Sequence, residues 1–275
     1  NLKNAILNEK KEINPFLTLS FYDSPQLQKT SAEAFVKKEY HYMNNLNYKF
    51  DNQTKKKIRI AYYSSDFRNH PMSYLLANLY ELHDKNKFEV IGISFGPNKD
   101  DEMRKRISNA FDKFYDLRLK TEDEIVNFSR ELKIDIAIDL MCFTKYHKFG
   151  IFVKRCAPVQ VNYLGYPGTS GTNYLDYIIA DRTLIPKDSQ KHYSEKIVYL
   201  PDTYQANDSK KKISDKIFTK KELGLPEDSF VFCCFNNNYK ITPQVFDIWM
   251  RLLKRVKNSV LWILSEDINI SKNLK

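Results

Sequence analysis

Lys57-Ile-Arg-Ile-Ala-Tyr-Tyr-Ser-Ser-Asp-Phe-Arg-Asn-His-Pro71 reads as a buried strand that runs into a polar loop. Residues 58–63 are a short apolar run rich in β-formers. Ser64, Ser65 and Asp66 end it, Asn69, His70 and Pro71 follow, and a helical period takes over across 72–83. A strand feeding a loop and then a helix is the first unit of an open α/β sheet. Such sheets take ligands beyond the carboxyl ends of their strands. Pro71 pushes His70 out of the α region. A carboxylate, Asp66, and an imidazole, His70, are therefore held on one loop at the edge where such folds do chemistry. The same two residues also read as a turn former and a surface histidine, and this stretch alone does not choose.

Working outward, the alternation is regular. Strands are expected over 58–63, 88–95, 114–117, 134–140, 159–164, 177–180 and 196–200, with helices over 72–83, 101–111 and 121–133. Thr121 caps the last of these, with Glu124 at the capping-box position. The 134–140 strand is nearly all apolar, as a strand covered on both faces should be. Strands and helices alternating at these lengths make an α/β sheet. Ahead of it, 2–11 and 24–40 look helical, with Asn14-Pro15 breaking between them and Ser24-Pro25 as a helix start. Residues 201–222 are polar and lysine-rich and read as a linker. A second α/β unit then opens, with strand 230–235, polar loop 236–240, helix 242–256 and strand 259–264. One βαβ unit cannot bury both faces of a parallel sheet, so this second half reads as incomplete as given, or as leaning on the first.

The 275 residues suffice for one large domain or two smaller ones. A hydrophobic content of 42% and an aromatic content of 14% exclude a disordered chain. No apolar run is long enough to span a bilayer, and no signal peptide opens the chain. A start at Asn1 rather than methionine suggests a fragment or processed product. Cys142, Cys156, Cys233 and Cys234 form no CxxC pair, so a zinc site or disulfide framework is not expected and a reducing cytoplasm fits. The net charge of +10 raises nucleic-acid binding. The lysines are scattered, however, and no helix-turn-helix or RNP signature appears, so a solvated basic surface is expected and no nucleic-acid partner. Some of the basic residues suit an anionic nucleotide-sugar donor.

Three further stretches carry chemistry. Gly165-Tyr-Pro-Gly-Thr-Ser-Gly171 is a glycine-rich turn directly after an apolar strand, where backbone comes close to a ligand. It is neither a Walker loop nor a dinucleotide fingerprint, and a tight strand connection is its bland alternative. Asn236-Asn-Asn-Tyr-Lys240 lies between a strand and a helix N-terminus, a place that favours phosphates. Lys240 adds a mobile charge suited to a pyrophosphate, or is merely a solvated lysine. Asp139 and Thr144 stand at the carboxyl end of the fourth strand. Loops 64–74, 139–148 and 165–171 thus converge on one edge, with 236–240 offered by the second half. Two Rossmann-like halves around a ligand cleft form the GT-B architecture.

Ser64-Ser-Asp-Phe-Arg-Asn-His-Pro71, Ala157-Pro-Val-Gln-Val-Asn-Tyr-Leu-Gly-Tyr-Pro-Gly-Thr-Ser-Gly171 and Phe235-Asn-Asn-Asn-Tyr-Lys240 resemble the protein O-GlcNAc transferases and their bacterial SPINDLY-type relatives. So do Tyr193-Ser-Glu-Lys196 and Ser259-Val-Leu-Trp-Ile-Leu264. The resemblance runs from about Asn14 to Leu264, in order and with family-like spacing. It implies a helical linker over 1–56 following tetratricopeptide repeats. It also implies a catalytic Rossmann-like half over 57–200, a linker over 201–228 and the start of a nucleotide-binding half over 229–275. The implied reaction is inverting transfer of N-acetylglucosamine from UDP-GlcNAc to Ser or Thr hydroxyls of a protein or peptide acceptor, with no cofactor and no metal. Asp66 and His70 match active-site residues, with a proton relay from the acceptor hydroxyl towards Asp66 as one proposal. Gly165 and Pro167 match the turn that holds the donor sugar, and Phe143 an aromatic beside the N-acetyl group. Asn237, Tyr239 and Lys240 match the pyrophosphate loop, with Lys240 stabilising the leaving diphosphate. Asn69, Asp139, Thr144 and Lys145 are the acceptor-side or supporting positions.

Two departures stand out. Cys142 occupies a position where relatives usually have glycine, and Lys148 one where they usually have arginine. Relatives also continue well past Leu264, so the chain by itself is expected to be inactive or nearly so. A non-catalytic scaffold of the same fold, or a relative using GDP-fucose or UDP-glucose, are the alternatives.

Overall fold

The computed structural model describes residues 13–40, 48–50, 56–97, 99–265 and 272. Residues 2–11, expected to be helical, lie outside them. The chain divides into two compact units, Asn1–Lys211 and Lys212–Lys275.

In the first unit, α1 (Pro15–Phe21) and α2 (Pro25–Tyr40) precede the sheet. The strands are β1 (Ile58–Ser64), β2 (Phe88–Ser94), β3 (Lys113–Asp116), β4 (Ile136–Asp139), β5 (Val159–Tyr163), β6 (Tyr177–Ala180) and β7 (Lys196–Tyr199). Between them run α3 (Pro71–Leu82), α4 (Glu102–Ala110), α5 (Glu122–Glu131) and the short α6 (Gly150–Val153), with a 3-10 turn at Lys187–His192. The strands form one sheet in the order β3-β2-β1-β4-β5-β6-β7, every neighbour parallel. The order reverses between β1 and β4. Chains leaving those two strands turn to opposite sides, and the crevice between them is where doubly wound sheets bind ligands.

The period of two in β1 explains the layers. Ala61 and Tyr63 face one core with Ala32 and Val36 of α2, Ile125 and Val126 of α5 and Phe152 of α6. Ile60 and Tyr62 face the other, with Leu76, Ala77 and Tyr80 of α3 and Ile107 of α4. The segment read as a linker helix is therefore part of the sheet's cover. Asn14-Pro15 also opens a helix of its own, α1, which the sequence reading did not expect. Asn14 Oδ1 accepts the Phe16 N–H at 2.8 Å, and Pro15 takes the first helical position, where its missing N–H costs nothing. The polar stretch after β7 is tied down over its first part. Tyr163 Oη donates to the Tyr204 carbonyl at 2.8 Å, and Arg106 holds Asp208 at 2.6 Å. Among the described residues no helix is long and apolar enough to cross a membrane.

The second unit pairs β8 (Phe230–Cys234) with β9 (Ser259–Ile263) in parallel, connected through a 3-10 turn (Asn238–Lys240) and α7 (Pro243–Arg255). Thr242 caps α7 with Pro243 at its first position, as expected.

Candidate functional site

The β1 loop is built from the inside. Ser64 Oγ accepts the Asp66 N–H at 2.9 Å, and Ser73 Oγ donates to the Asp66 carbonyl at 2.5 Å. Asp66 is thereby drawn inward and buried. Arg68 Nη2 sits 3.0 Å from its Oδ1, and His70 Nδ1 3.5 Å from its Oδ2. His70 also caps α3, its Nδ1 accepting the Met72 N–H at 3.3 Å. The extended backbone that Pro71 imposes on His70 (φ −150°, ψ 148°) is what a cap residue needs. Asn69 is exposed, and its backbone N–H donates to Asp101 Oδ2 at 2.7 Å. Arg104 braces the same loop from α4, donating to the Phe67 carbonyl at 3.0 Å and to Asp116 at 2.7 Å.

Desolvation lowers the pKa of His70 first, and the Arg68 guanidinium lowers it further, while the Asp66 carboxylate pulls the other way. The ring is therefore neutral at pH 7. With Nδ1 as the cap acceptor, the proton sits on Nε2. In the other tautomer Nδ1–H points to Asp66, and Nε2 is a free base of the kind general catalysis uses.

The β4 loop adjoins the β1 loop. Ser64 Oγ and Ser65 Oγ stand 3.4 and 3.5 Å from Met141 Sδ, and Ser65 Oγ is 3.5 Å from the Lys145 carbonyl. The β5 turn closes on both. A Cβ at Gly165 would stand 1.9 Å from the Leu140 carbonyl, so only glycine fits there. Asn162 Nδ2 holds the Tyr166 and Gly168 carbonyls at 3.0 and 3.2 Å. Glu195, buried, takes the Thr169 hydroxyl at 2.7 Å and the Ser170 N–H at 2.6 Å. Pro167 is half-buried, its carbonyl 3.2 Å from Tyr193 Oη. The three loops expected to converge do so at the β1/β4 crevice.

Not every expected residue is available to a ligand. Phe143 is wholly enclosed, its ring packed edge-on to Phe35 and Tyr166 and tilted on Phe149. It meets no surface that a sugar can reach. Asp139 is 1% exposed, and its Oδ1 accepts the Met141 and Cys142 amides at 2.8 and 3.1 Å. It is a turn former beneath the site rather than an acceptor contact. Thr144 is half-buried, and Lys145 is exposed with Nζ 5.0 Å from the Tyr146 ring. Cys142 has a φ of 45°, the left-handed region that favours glycine. Lys148 Nζ is spent on the Lys120 carbonyl at 2.6 Å.

In the second unit, loop 235–240 stands at the carboxyl ends of β8 and β9. Asn238 Nδ2 donates to the Leu264 carbonyl at 2.8 Å, and Asn237 Oδ1 accepts from the Tyr239 N–H at 3.5 Å. Asn237, Tyr239 and Lys240 are exposed.

Arg68, Arg104, Asn162 and Glu195 escaped the sequence reading as site residues. Glu195 lies within a quoted motif, but its partners are 25 or more residues away in sequence.

The first unit is thus a Rossmann-type parallel sheet with a carboxylate, an imidazole and a glycine turn gathered at its switch point. The profile of glycosyl transferase family 41 matches residues 27–218 and 209–274, and the chain belongs to that family. A probable UDP-N-acetylglucosamine–peptide N-acetylglucosaminyltransferase, SEC of Arabidopsis thaliana, is 40% identical over 214 residues, 76% of this chain and 22% of its own length. Its SPINDLY counterpart from the same plant is 33% identical over 207 residues, 74% of this chain and 22% of its own. The chain therefore spans about a fifth of the length of these relatives. A solved mutant of the Thermobaculum terrenum O-GlcNAc transferase superposes with a TM-score of 0.81 at 26% identity, over 94% of this chain and 49% of that one. The fold is accordingly of the GT-B type.

Proposed function

We propose that this chain supplies the sugar-side loops and the pyrophosphate loop of a protein O-GlcNAc transferase. The donor is UDP-GlcNAc and the acceptor a Ser or Thr hydroxyl of a protein or peptide. The observation that carries the proposal is the Asp66–His70 pair, held beside a glycine turn at the β1/β4 switch point. The acceptor oxygen attacks the anomeric carbon from the face opposite the leaving group, and the bond from that carbon to the diphosphate oxygen breaks with inversion. His70, neutral at pH 7, passes the hydroxyl proton towards Asp66. Lys240 meets the charge that develops on the departing diphosphate, and a preorganised cation there lowers the barrier. The reaction so written needs no metal and no cofactor. The names of the SEC and Thermobaculum relatives support the donor and the peptide acceptor.

The test is transfer of labelled N-acetylglucosamine to an acceptor peptide by the whole gene product. His70→Ala and Lys240→Ala should each lower turnover by about 100-fold or more, the range of general acid–base and charge-stabilising groups. Unchanged turnover in both variants, or transfer of fucose or glucose in preference to N-acetylglucosamine, would sink the proposal.

A further inference from the structure

Two buried acceptor atoms without donors belong to residues paired in register beneath the candidate site. Asp139 closes β4 and Asn162 lies in β5, and the two are register partners in the parallel ladder. Their side chains leave the same face of the sheet from backbones about 5 Å apart. One oxygen of Asp139 is committed to the Met141 and Cys142 amides. The nitrogen of Asn162 is committed to the Tyr166 and Gly168 carbonyls. Both of those partners are acceptors, so the amide orientation is fixed: only –NH₂ can stand there. What remains is Asp139 Oδ2 and Asn162 Oδ1, each buried and each without a hydrogen-bond partner. Leaving two such lone-pair atoms buried and unpaired is destabilising.

We propose that Asp139 is held as the neutral carboxylic acid and that its Oδ2 proton is donated to Asn162 Oδ1. One proton satisfies both orphans at once. It also completes an unbroken chain from the amides of the β4 loop, through Asp139 and Asn162, to the carbonyls of the glycine turn. The bridge ties together the two loops that Gly165 presses against each other. Asp139 is a positioning residue in this arrangement and touches no ligand.

The surroundings favour the neutral form. Tyr63 of β1 is the register neighbour on the other side. Tyr40 of α2, Cys142 of the same loop and Cys156 ahead of β5 are placed so that an ionised Asp139 would raise their pKa values, and Cys142 also feels the Glu195 carboxylate. None of these groups is a cation. Burial pushes the Asp139 carboxyl up to about 7, against the two amide hydrogen bonds that pull it down. A carboxyl raised from 3.8 contributes stability that is complete below its unfolded value and is lost as the pH rises towards 7.

The test uses the chain labelled with ¹³C at the aspartate side-chain carboxyls, the Asp139 signal being assigned by its loss in Asp139→Asn. The expected signal is that of a neutral acid at pH 6, moving to the carboxylate position between pH 6 and 8. A carboxylate signal at every pH from 5 upward overturns the proposal, and a water or cation then fills the gap. Stability gives an independent reading. Asp139→Asn carries its own N–H donor and should match or exceed the wild-type urea midpoint at pH 8, with a difference that grows from pH 6 to 8. Asp139→Ala should fall below Asp139→Asn at both pH values. If the two variants are equally unstable at pH 8, the donor at this position is immaterial and the bridge does not exist. None of these readouts depends on transfer activity, so they stand or fall apart from the proposed function.

Discussion

At His70 two partners compete for one ring nitrogen: the Met72 amide at 3.3 Å and the Asp66 carboxylate at 3.5 Å. Neither contact is short, so the imidazole serves as a helix cap in one tautomer and as a base steadied by Asp66 in the other. Substitution separates the two jobs. Asparagine is a good cap and no base. His70→Asn should keep the unfolding midpoint near that of the wild type and lose transfer in the whole gene product. His70→Ala should lose transfer and also about 1 kcal/mol of stability. Equal midpoints for the two variants would show that the cap contributes nothing. The pH dependence has a definite sign. Burial and Arg68 set the folded-state pKa of His70 below 6.5. The stability it contributes is complete above the ordinary value and is lost as the pH falls through the lowered one. Urea titrations at pH 7 and pH 5 should therefore show His70→Asn gaining on the wild type at the acid end. A constant difference would contradict the lowered pKa. The pair itself was legible, because Asp66 and His70 sit four residues apart beside a proline. Arg68 as the clamp on Asp66 was not, since an arginine in a polar loop looks like any other solvated charge.

At the scale of elements, local signals read true and long-range ones did not. The Thr121–Glu124 capping box and the Thr242-Pro243 start are each written within four residues and appear as expected. The short helix α1 that Asn14-Pro15 opens went unread, because the same pair serves as a break or as a cap and first turn. Phe143 and Asp139 were placed correctly at the sheet edge, but their burial depends on neighbours from α2, β5 and the glycine turn, which no local pattern shows. The glycine turn is where this matters most. Gly165 lies against the Leu140 carbonyl with no room for a Cβ. Gly165→Ala should cost about 2–3 kcal/mol, the upper range for overpacking, because the obstruction is backbone and cannot rotate away. Glu195 holds the other end of the turn through Thr169 and Ser170. Glu195→Ala should cost about 3 kcal/mol by leaving a buried hydroxyl and amide unpaired. Glu195→Gln should recover part of this, since its amide oxygen still accepts one bond. Urea unfolding of the first unit measures all three, and a midpoint unchanged by Glu195→Ala would remove Glu195 from the account of the turn.

For the whole molecule, fold class was readable from alternation alone, whereas the strand order was not. Which strand pairs with which is settled by contacts between residues far apart in the chain, and the switch between β1 and β4 followed only from them. The two units also differ in how they are held. In the first, both faces of the sheet are covered and each face has its own core. In the second, Phe230 and Phe235 are 57% and 53% exposed, and Val245, Ile248 and Leu252 are exposed along α7. Two strands alone are marginal in water, a single helix here leaves much apolar surface uncovered, and local opening is cheapest where few apolar groups are buried. Amide hydrogen exchange on the 275-residue chain should therefore be biphasic. Amides of β1 and β4 should exchange near the rate of global unfolding, and those of β8 and β9 at least about 100-fold faster, a gap of about 2.7 kcal/mol in opening free energy. A protease should cut first within 212–229 and leave the first unit's unfolding midpoint in place, because Arg106, Asp208 and Tyr204 anchor that unit's end ahead of the cut. Equal protection across β1, β4, β8 and β9 would mean that the second unit is buttressed as firmly as the first. The exposed apolar row on α7 would then need a partner surface to explain it.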